Sequence, residues 1–346
     1  MPVPHLAVRR LLIAPLVFAI ELLLAILSPL VLVVAVVLSP LFGGWRPLRM
    51  SVIVLSFAMR HLGATLACAG LWVAAGFGRR ADSDQAQRRL YGVMRWFVDG
   101  VYRTIVRAAR VEVRLSESAA AEELLSSSGA PVVVLSRHAG EGDTLLAIHQ
   151  LLCRHGRLPR VVMHERLRLD PLIDVLGTRL PNRFVDPRGG DTEREIAAMS
   201  SDLHEQAAVL IFPEGRNFSA RHRQRGIDRL EQAGHVEEAE WARSMRHMAA
   251  PRPGGALAAI EAASGADVVF VGHVGFPRSF GEVWRLLPQR QTVELRLWAA
   301  PADQVPGDRD EAIDWLFGWW RTLDAWVAER HEAGTGGPVP VEENQK

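Results

Sequence analysis

The chain has 346 residues, 40 of them basic and 39 acidic, for a formal net charge of +1. That length holds one large domain or two small ones, and the balanced charge gives no pointer to a nucleic-acid partner. Every basic residue except Lys346 is Arg, which excludes chemistry that needs an internal Lys, such as Schiff-base catalysis or a P-loop. The two cysteines, Cys68 and Cys153, have no metal-ligand spacing, so neither a disulfide framework nor a zinc site is expected; no metal or resident cofactor is called for.

Residues 11–45 carry a single charge, Glu21. The stretch is too long for a signal-peptide core and reads as a membrane segment. Arg9 and Arg10 precede it, and Arg46 and Arg49 follow it. Positive charge on both flanks suits a re-entrant hairpin that enters and leaves by the cytoplasmic face, bent near Ser28-Pro29; one tilted span is the other reading. Each hairpin arm would be about 22 to 27 Å of helix, short against a hydrocarbon core of about 30 Å. A second apolar stretch, 52–77, is interrupted by Arg60-His61. A charged pair is costly at mid-membrane, so an interfacial or protein-covered helix pair is expected there.

Asp82-Ser83-Asp84 reads as a helix start, with Leu90, Met94, Phe97, Val101 and Ile105 following at helical spacing. Strands are expected at 111–115, 132–135, 161–164, 184–185, 209–212, 268–274 and 293–298. Helices are expected at 119–126, 144–154, 192–206, 256–264 and 310–329. This alternation predicts an α/β fold with a mostly parallel twisted sheet flanked by helices, preceded by N-terminal membrane helices. Residues 226–248 form a polar, charge-rich insertion. The last helix carries Trp315, Trp319, Trp320 and Trp326, expected to pack in the core, with the lipid interface as the other reading. The domain organisation expected is a membrane-attached helical region over 1–80, an α/β domain over 81–331 and a disordered tail over 332–346.

The chemistry concentrates at two strand ends. Val132-Val133-Val134 runs into Leu135-Ser136-Arg137-His138-Ala139-Gly140-Glu141-Gly142-Asp143, and Val209-Leu210-Ile211-Phe212 stops at Pro213-Glu214-Gly215-Arg216. Five residues apart on one helix, His138 and Asp143 would lie about 140° apart. They meet only if the backbone turns between them, and Gly140 and Gly142 permit that. A carboxylate on one imidazole nitrogen fixes the tautomer and leaves the other nitrogen as a base. The plainer reading is that Asp143 caps a helix and His138 belongs to a loop. Ser136 lies near His138, but no Gly-x-Ser-x-Gly elbow accompanies it. His149, Cys153 and His155 read as surface or structural residues.

Together these motifs resemble the glycerophosphate and lysophospholipid acyltransferase family, 1-acylglycerol-3-phosphate acyltransferases among them. That family has a His-x4-Asp motif and a later Phe-Pro-Glu-Gly motif. A middle block is matched by Arg183-Phe184-Val185-Asp186-Pro187-Arg188, and a hydrophobic block ending in Pro is matched by Val269 to Pro277. The resemblance covers roughly 111–298 and the N-terminal segment. It implies acyl transfer from acyl-CoA or acyl carrier protein to a glycerolipid hydroxyl; the positive flanks of the hairpin put the catalytic domain at the cytoplasmic face of the cell membrane. The favoured acceptor is 1-acylglycerol 3-phosphate. By the resemblance His138 is the general base and Asp143 orients it. Arg188 or Arg183 holds the acceptor phosphate, and Glu214 and Gly215 shape the acceptor site. Arg216, Arg221, Arg223, Arg225 and Arg229 are candidates for CoA phosphates or anionic lipid, with a solvated surface the other reading for the last four. Two departures bear on the acceptor. The family has Thr or Ser and then Arg after Glu-Gly, where this chain has Arg216-Asn217, and Arg188 sits one residue later than the common spacing. Pro251-Arg252-Pro253-Gly254-Gly255 is similar in placement to a Pro-Arg-Thr-Lys-Gly block in a subgroup that acylates lysophosphatidic acid and other lysophospholipids. Another lysophospholipid, a glycolipid or a lipid-linked alcohol as acceptor, or hydrolysis of the acyl donor, are the other readings.

Overall fold

The computed structural model describes residues 3–81, 83–126, 129–140, 142–186, 191–277 and 280–334. Arg188 and the 335–346 part of the expected tail lie outside them. Seven strands form one sheet: β1 (Val111–Glu117), β2 (Val132–Ser136), β3 (Leu158–His164), β4 (Arg183–Val185), β5 (Ala207–Ile211), β6 (Asp267–Val274) and β7 (Gln291–Ala300). Their order is β1-β7-β6-β2-β5-β3-β4. Every pairing is parallel except β6 with β7.

Alternation along the strands sorts side chains to two faces. Val133, Leu135, Val209, Ile211, Val268 and Phe270 pack in a cluster that includes Trp320 and Phe317 of the last helix (Arg309–Glu332). Val132, Val134, Ala208, Leu210, Val269 and Val271 face Ala121, Leu125, Ala147 and Leu151 on the other side. With helices on both faces, the central strands lose the polar face that an exposed sheet would need, which is why they read as continuous Val-rich runs. Trp320 is fully buried, Trp326 is nearly so, and Trp315 and Trp319 pack against the same core. The tryptophans therefore serve the core.

The N-terminal region departs from the bend expected at Ser28-Pro29. One helical run extends over Leu6–Phe42, with Pro29 and Pro40 inside it. Ser28 Oγ donates to the Ala25 carbonyl at 2.7 Å, a local partner in the turn that Pro29 disturbs. The reversal comes at residues 43–45, and a second unbroken helix, Arg46–Ala74, follows where a helix pair was expected. Arg60 does not interrupt it, because its guanidinium lies over the Trp96 ring, 5.2 Å from the centroid. His61 sits between Glu21 (2.6 Å) and Asp170 (3.0 Å). The hairpin is tied to the α/β domain along its length. Arg9 pairs with Asp174 at 3.2 Å, Ser56 meets Thr104 at 2.9 Å, and the Arg46 guanidinium donates to the Leu287 carbonyl. Ala64 and Cys68 share a cluster with Leu90, Met94 and Leu176, and Ile53 shares one with Val111 and Val293.

Smaller departures have local causes. The helix expected at 192–206 stops at Ser200. The charge-rich stretch around 226–248 folds as helices Ala220–Gln232 and Val236–Ser244, which bury Ile227, Ala239 and Ala242. Helix Pro171–Arg179, not expected, begins with Asp170 capping the Ile173 N–H and Pro171 in its first turn.

Candidate active site

The parallel strands β2, β5 and β6 end on one side of the sheet, and their last residues and the loops after them build the site. His138 follows β2 and its ring rests on Phe212, centroids 4.5 Å apart. Its backbone is held on both sides: the N–H donates to Glu214 Oε1 at 2.9 Å, and the carbonyl accepts from the Phe218 N–H at 2.8 Å. The side chain remains 21% exposed, so it is fixed yet open to a ligand.

Asp143 opens the helix Asp143–Ile148 and is fully buried. Its Oδ2 turns back to accept from the Gly140 N–H at 2.7 Å and from the Ala139 N–H. The same oxygen lies 3.4 Å from His138 Nδ1. Gly142 does not use a left-handed conformation in this turn (φ −87°). It is required because a Cβ there would stand 1.7 Å from the Phe276 ring.

A residue that sequence reasoning missed completes the pair. His273, in β6 and 2% exposed, places Nε2 3.4 Å from Asp143 Oδ2 and 3.2 Å from the Arg137 carbonyl. Arg137 returns the contact by donating to the His273 carbonyl. Asp143 thus serves two imidazoles. Burial works to raise its pKa, but the His273 charge and the hydrogen bonds from His138, His273 and Gly140 outweigh burial and hold the carboxyl below its usual range.

Glu214 lies behind His138 with no exposed surface. Its second oxygen accepts from the Ala249 N–H at 3.1 Å. Burial pushes its pKa up to about 7, against the pull of the His138 and Ala249 amides and the Arg137 charge. Gly215 turns out to the surface with φ +75°, and Arg252 lies across it; a Cβ would stand 3.2 Å from that guanidinium. Both features call for Gly. Arg216 and Arg229 are exposed. Burial, then the Arg229 and Arg216 charges, lower the Arg252 pKa. Burial and the Arg252, Arg216 and Arg229 charges also hold His222 below the usual imidazole range, despite its contact with the Glu214 carbonyl. An arginine cluster therefore follows the Pro-Glu-Gly turn.

Of the other expected residues, Arg183 pairs with Glu195 at 3.3 Å at the start of edge strand β4, away from this grouping. Ser136 is buried and its hydroxyl donates to the Arg137 carbonyl at 3.2 Å, which turns it away from a nucleophile's role. Asp99, His149 and Cys153 bring ligand atoms within 4.8 Å of one another. Asp99 already accepts from Arg103 at 3.0 Å, His149 stacks on Tyr102, and burial pushes the Cys153 thiol up to about 11, which disfavours a thiolate ligand.

An apolar cavity of about 550 Å³ reaches the residues on either side of Asp143. Gly142, Thr144 and Phe276 line it beside Asp143, and Ile53, Phe57, Met94, Phe97, Met163 and Leu176 extend its walls. That volume falls in the range of small-molecule sites, roughly 300–1,000 Å³.

Residues 110–273 match the protein-family model described as Acyltransferase. The match begins just before β1, spans His138, Asp143 and Glu214, and ends on His273. It supports acyl transfer as the general activity. No curated protein and no solved structure matches the chain.

Proposed function

We propose that the protein transfers a fatty acyl group from a thioester, acyl-CoA or acyl carrier protein, to the free hydroxyl of 1-acylglycerol 3-phosphate, giving phosphatidic acid. The observation that carries this reading is the setting of the His138–Asp143 pair. One flank, Gly142 and Thr144, opens on the apolar cavity, and the other, Glu214 and Gly215, leads to the arginine cluster. A long acyl chain needs the first and a phosphate needs the second.

In this reading neutral His138 donates its Nδ1 proton to Asp143, which leaves Nε2 as the base. Nε2 takes the acceptor's hydroxyl proton as that oxygen bonds to the thioester carbonyl carbon. Collapse of the adduct breaks the carbon–sulfur bond, and the imidazolium returns the proton to the leaving thiolate. No acyl-enzyme forms. The buried carboxylate stabilises the transient imidazolium.

A lipid-extract assay with labelled acyl-CoA tests the acceptor. Labelled phosphatidic acid is the expected product. A different labelled lipid overturns the acceptor, and labelled free fatty acid released without acceptor makes the enzyme a hydrolase. Arg216→Ala should raise the KM for the phosphorylated acceptor roughly 10- to 150-fold, the worth of one charge-assisted contact, with little change for acyl-CoA. An equal rise for acyl-CoA would assign Arg216 to the donor.

The hairpin supports membrane attachment as part of this proposal. Leu16, Leu23, Ile26, Leu30, Val33, Val37 and Leu41 are exposed along its first helix. Both helices are long and apolar enough to cross a bilayer, but both ends of the hairpin bond to the α/β domain. That favours a helix lying in the interface; the cytoplasmic face is proposed from the Arg pairs that flank residues 11–45. Carbonate-resistant pelleting should disappear when residues 1–42 are removed. Removing 1–80 should instead give aggregated protein, because Ile53, Ala64 and Cys68 belong to clusters shared with the α/β domain.

A further inference from the structure

A second cavity, about 530 Å³, shares no lining residue with the one at Gly142 and Thr144. It lies at the open end of the hairpin, where the first helix begins and the second ends. Its apolar wall is formed by Cys68, Leu71, Trp72 and Leu90. Its charge is one-sided: Arg9, Arg10, Arg80, Arg89, Arg168 and Arg179 line it. Asp174 is the only carboxylate among the described lining residues, and it is already engaged by Arg9 at 3.2 Å and by Arg168 at 3.8 Å. Arg10, Arg80 and Arg89 are exposed and meet no acid among the described residues.

Two demands are thus made of one occupant. The arginines call for an anion, and their planar donors suit phosphate oxygens. The apolar wall calls for hydrocarbon. A free phosphate meets only the first demand and a neutral lipid only the second. Arg9, Arg10 and Ala14 place the cavity at the start of the exposed apolar helix, and in the interfacial placement proposed above that end meets lipid headgroups. We propose that it binds an anionic glycerophospholipid, phosphate on the arginines and acyl chain along Leu71 and Trp72, as a site apart from the reaction centre that seats the hairpin in an acidic membrane. This does not depend on the acyl-transfer reading.

Native mass spectrometry of the full-length protein, released from detergent micelles containing equal phosphatidylglycerol and phosphatidylcholine, tests it. The expected result is one retained phosphatidylglycerol. The triple variant R10Q/R80Q/R89Q should bind it roughly 100-fold more weakly, given the worth of three basic groups near a membrane surface. Ala69 is exposed and lines the cavity, so Ala69→Trp fills the space with every charge intact and should also abolish retention. Melting curves of both variants should match the wild type, and so should their acyl transfer in neutral micelles. Equal retention of phosphatidylcholine overturns the proposal, as does wild-type retention by Ala69→Trp, which would reduce the effect to surface charge. Displacement of the lipid by inorganic phosphate would make this a phosphate site and overturn the lipid assignment.

Discussion

His138→Ala is expected to lower kcat by roughly 10² to 10⁴, the usual contribution of a positioned general base, without unfolding the protein. The fold should survive because the loop is held by backbone groups. The His138 N–H and carbonyl are paired with Glu214 and Phe218, and Ala keeps both. Asp143→Asn should also lower kcat, and it has a structural cost that His138→Ala lacks. Asp143 Oδ2 collects two loop amides and two imidazoles, and an amide cannot replace the negative charge that both rings face. Ser136→Ala should keep most activity, because that hydroxyl is buried on the Arg137 carbonyl. Mass spectrometry of enzyme quenched with acyl donor and no acceptor decides the mechanism. A stoichiometric acyl adduct that turns over when acceptor is added would replace direct attack with a two-step scheme.

The central strands were legible because burial on both faces leaves unbroken Val-rich runs, as at 132–134. His138 and Asp143 were legible because strand ends punctuate such runs with polar residues. His273 was not. It sits inside the apolar run of β6 and meets Asp143 only through the β2–β6 pairing, between residues 130 apart in the chain. The arginine cluster was partly hidden for the same reason: Arg216 and Arg229 announced themselves after the Glu-Gly turn, but Arg252 reaches Gly215 from a separate segment. The bend expected at Pro29 failed because Pro alone does not decide a helix's path. The second helix packs alongside the first, and the helix continues through Pro29. The Gly226–Met248 stretch hid two helices behind its charge, although Ala239, Ala242 and Met245 already traced a buried stripe. The start of helix Pro171–Arg179 was written in Asp170-Pro171, a capping residue followed by Pro in the first turn.

Glu214 should be the most costly residue of the site to remove and should give the protein a pH-dependent stability. In Glu214→Ala the amides of His138 and Ala249 are left buried without acceptors, at about 1–3 kcal/mol each, or roughly 2–6 kcal/mol together. The His138 backbone would lose its anchor, so kcat should fall along with stability. Glu214→Gln isolates the charge. A Glu in the unfolded chain titrates near 4.3, whereas burial holds folded Glu214 at about 7. Between those values the native state binds the proton more tightly than the unfolded chain. The stabilisation is therefore complete below the unfolded pKa and is lost as pH rises through about 7. One proton over that window is worth about 4 kcal/mol. Gln carries no such titration. The unfolding free energy of wild type minus that of Glu214→Gln should therefore fall by up to about 4 kcal/mol across the window and level off above it. A difference that stays flat would mean that Glu214 is ionised throughout. The two amides and Arg137 would then fully offset its burial, and the site would work around a fixed buried anion.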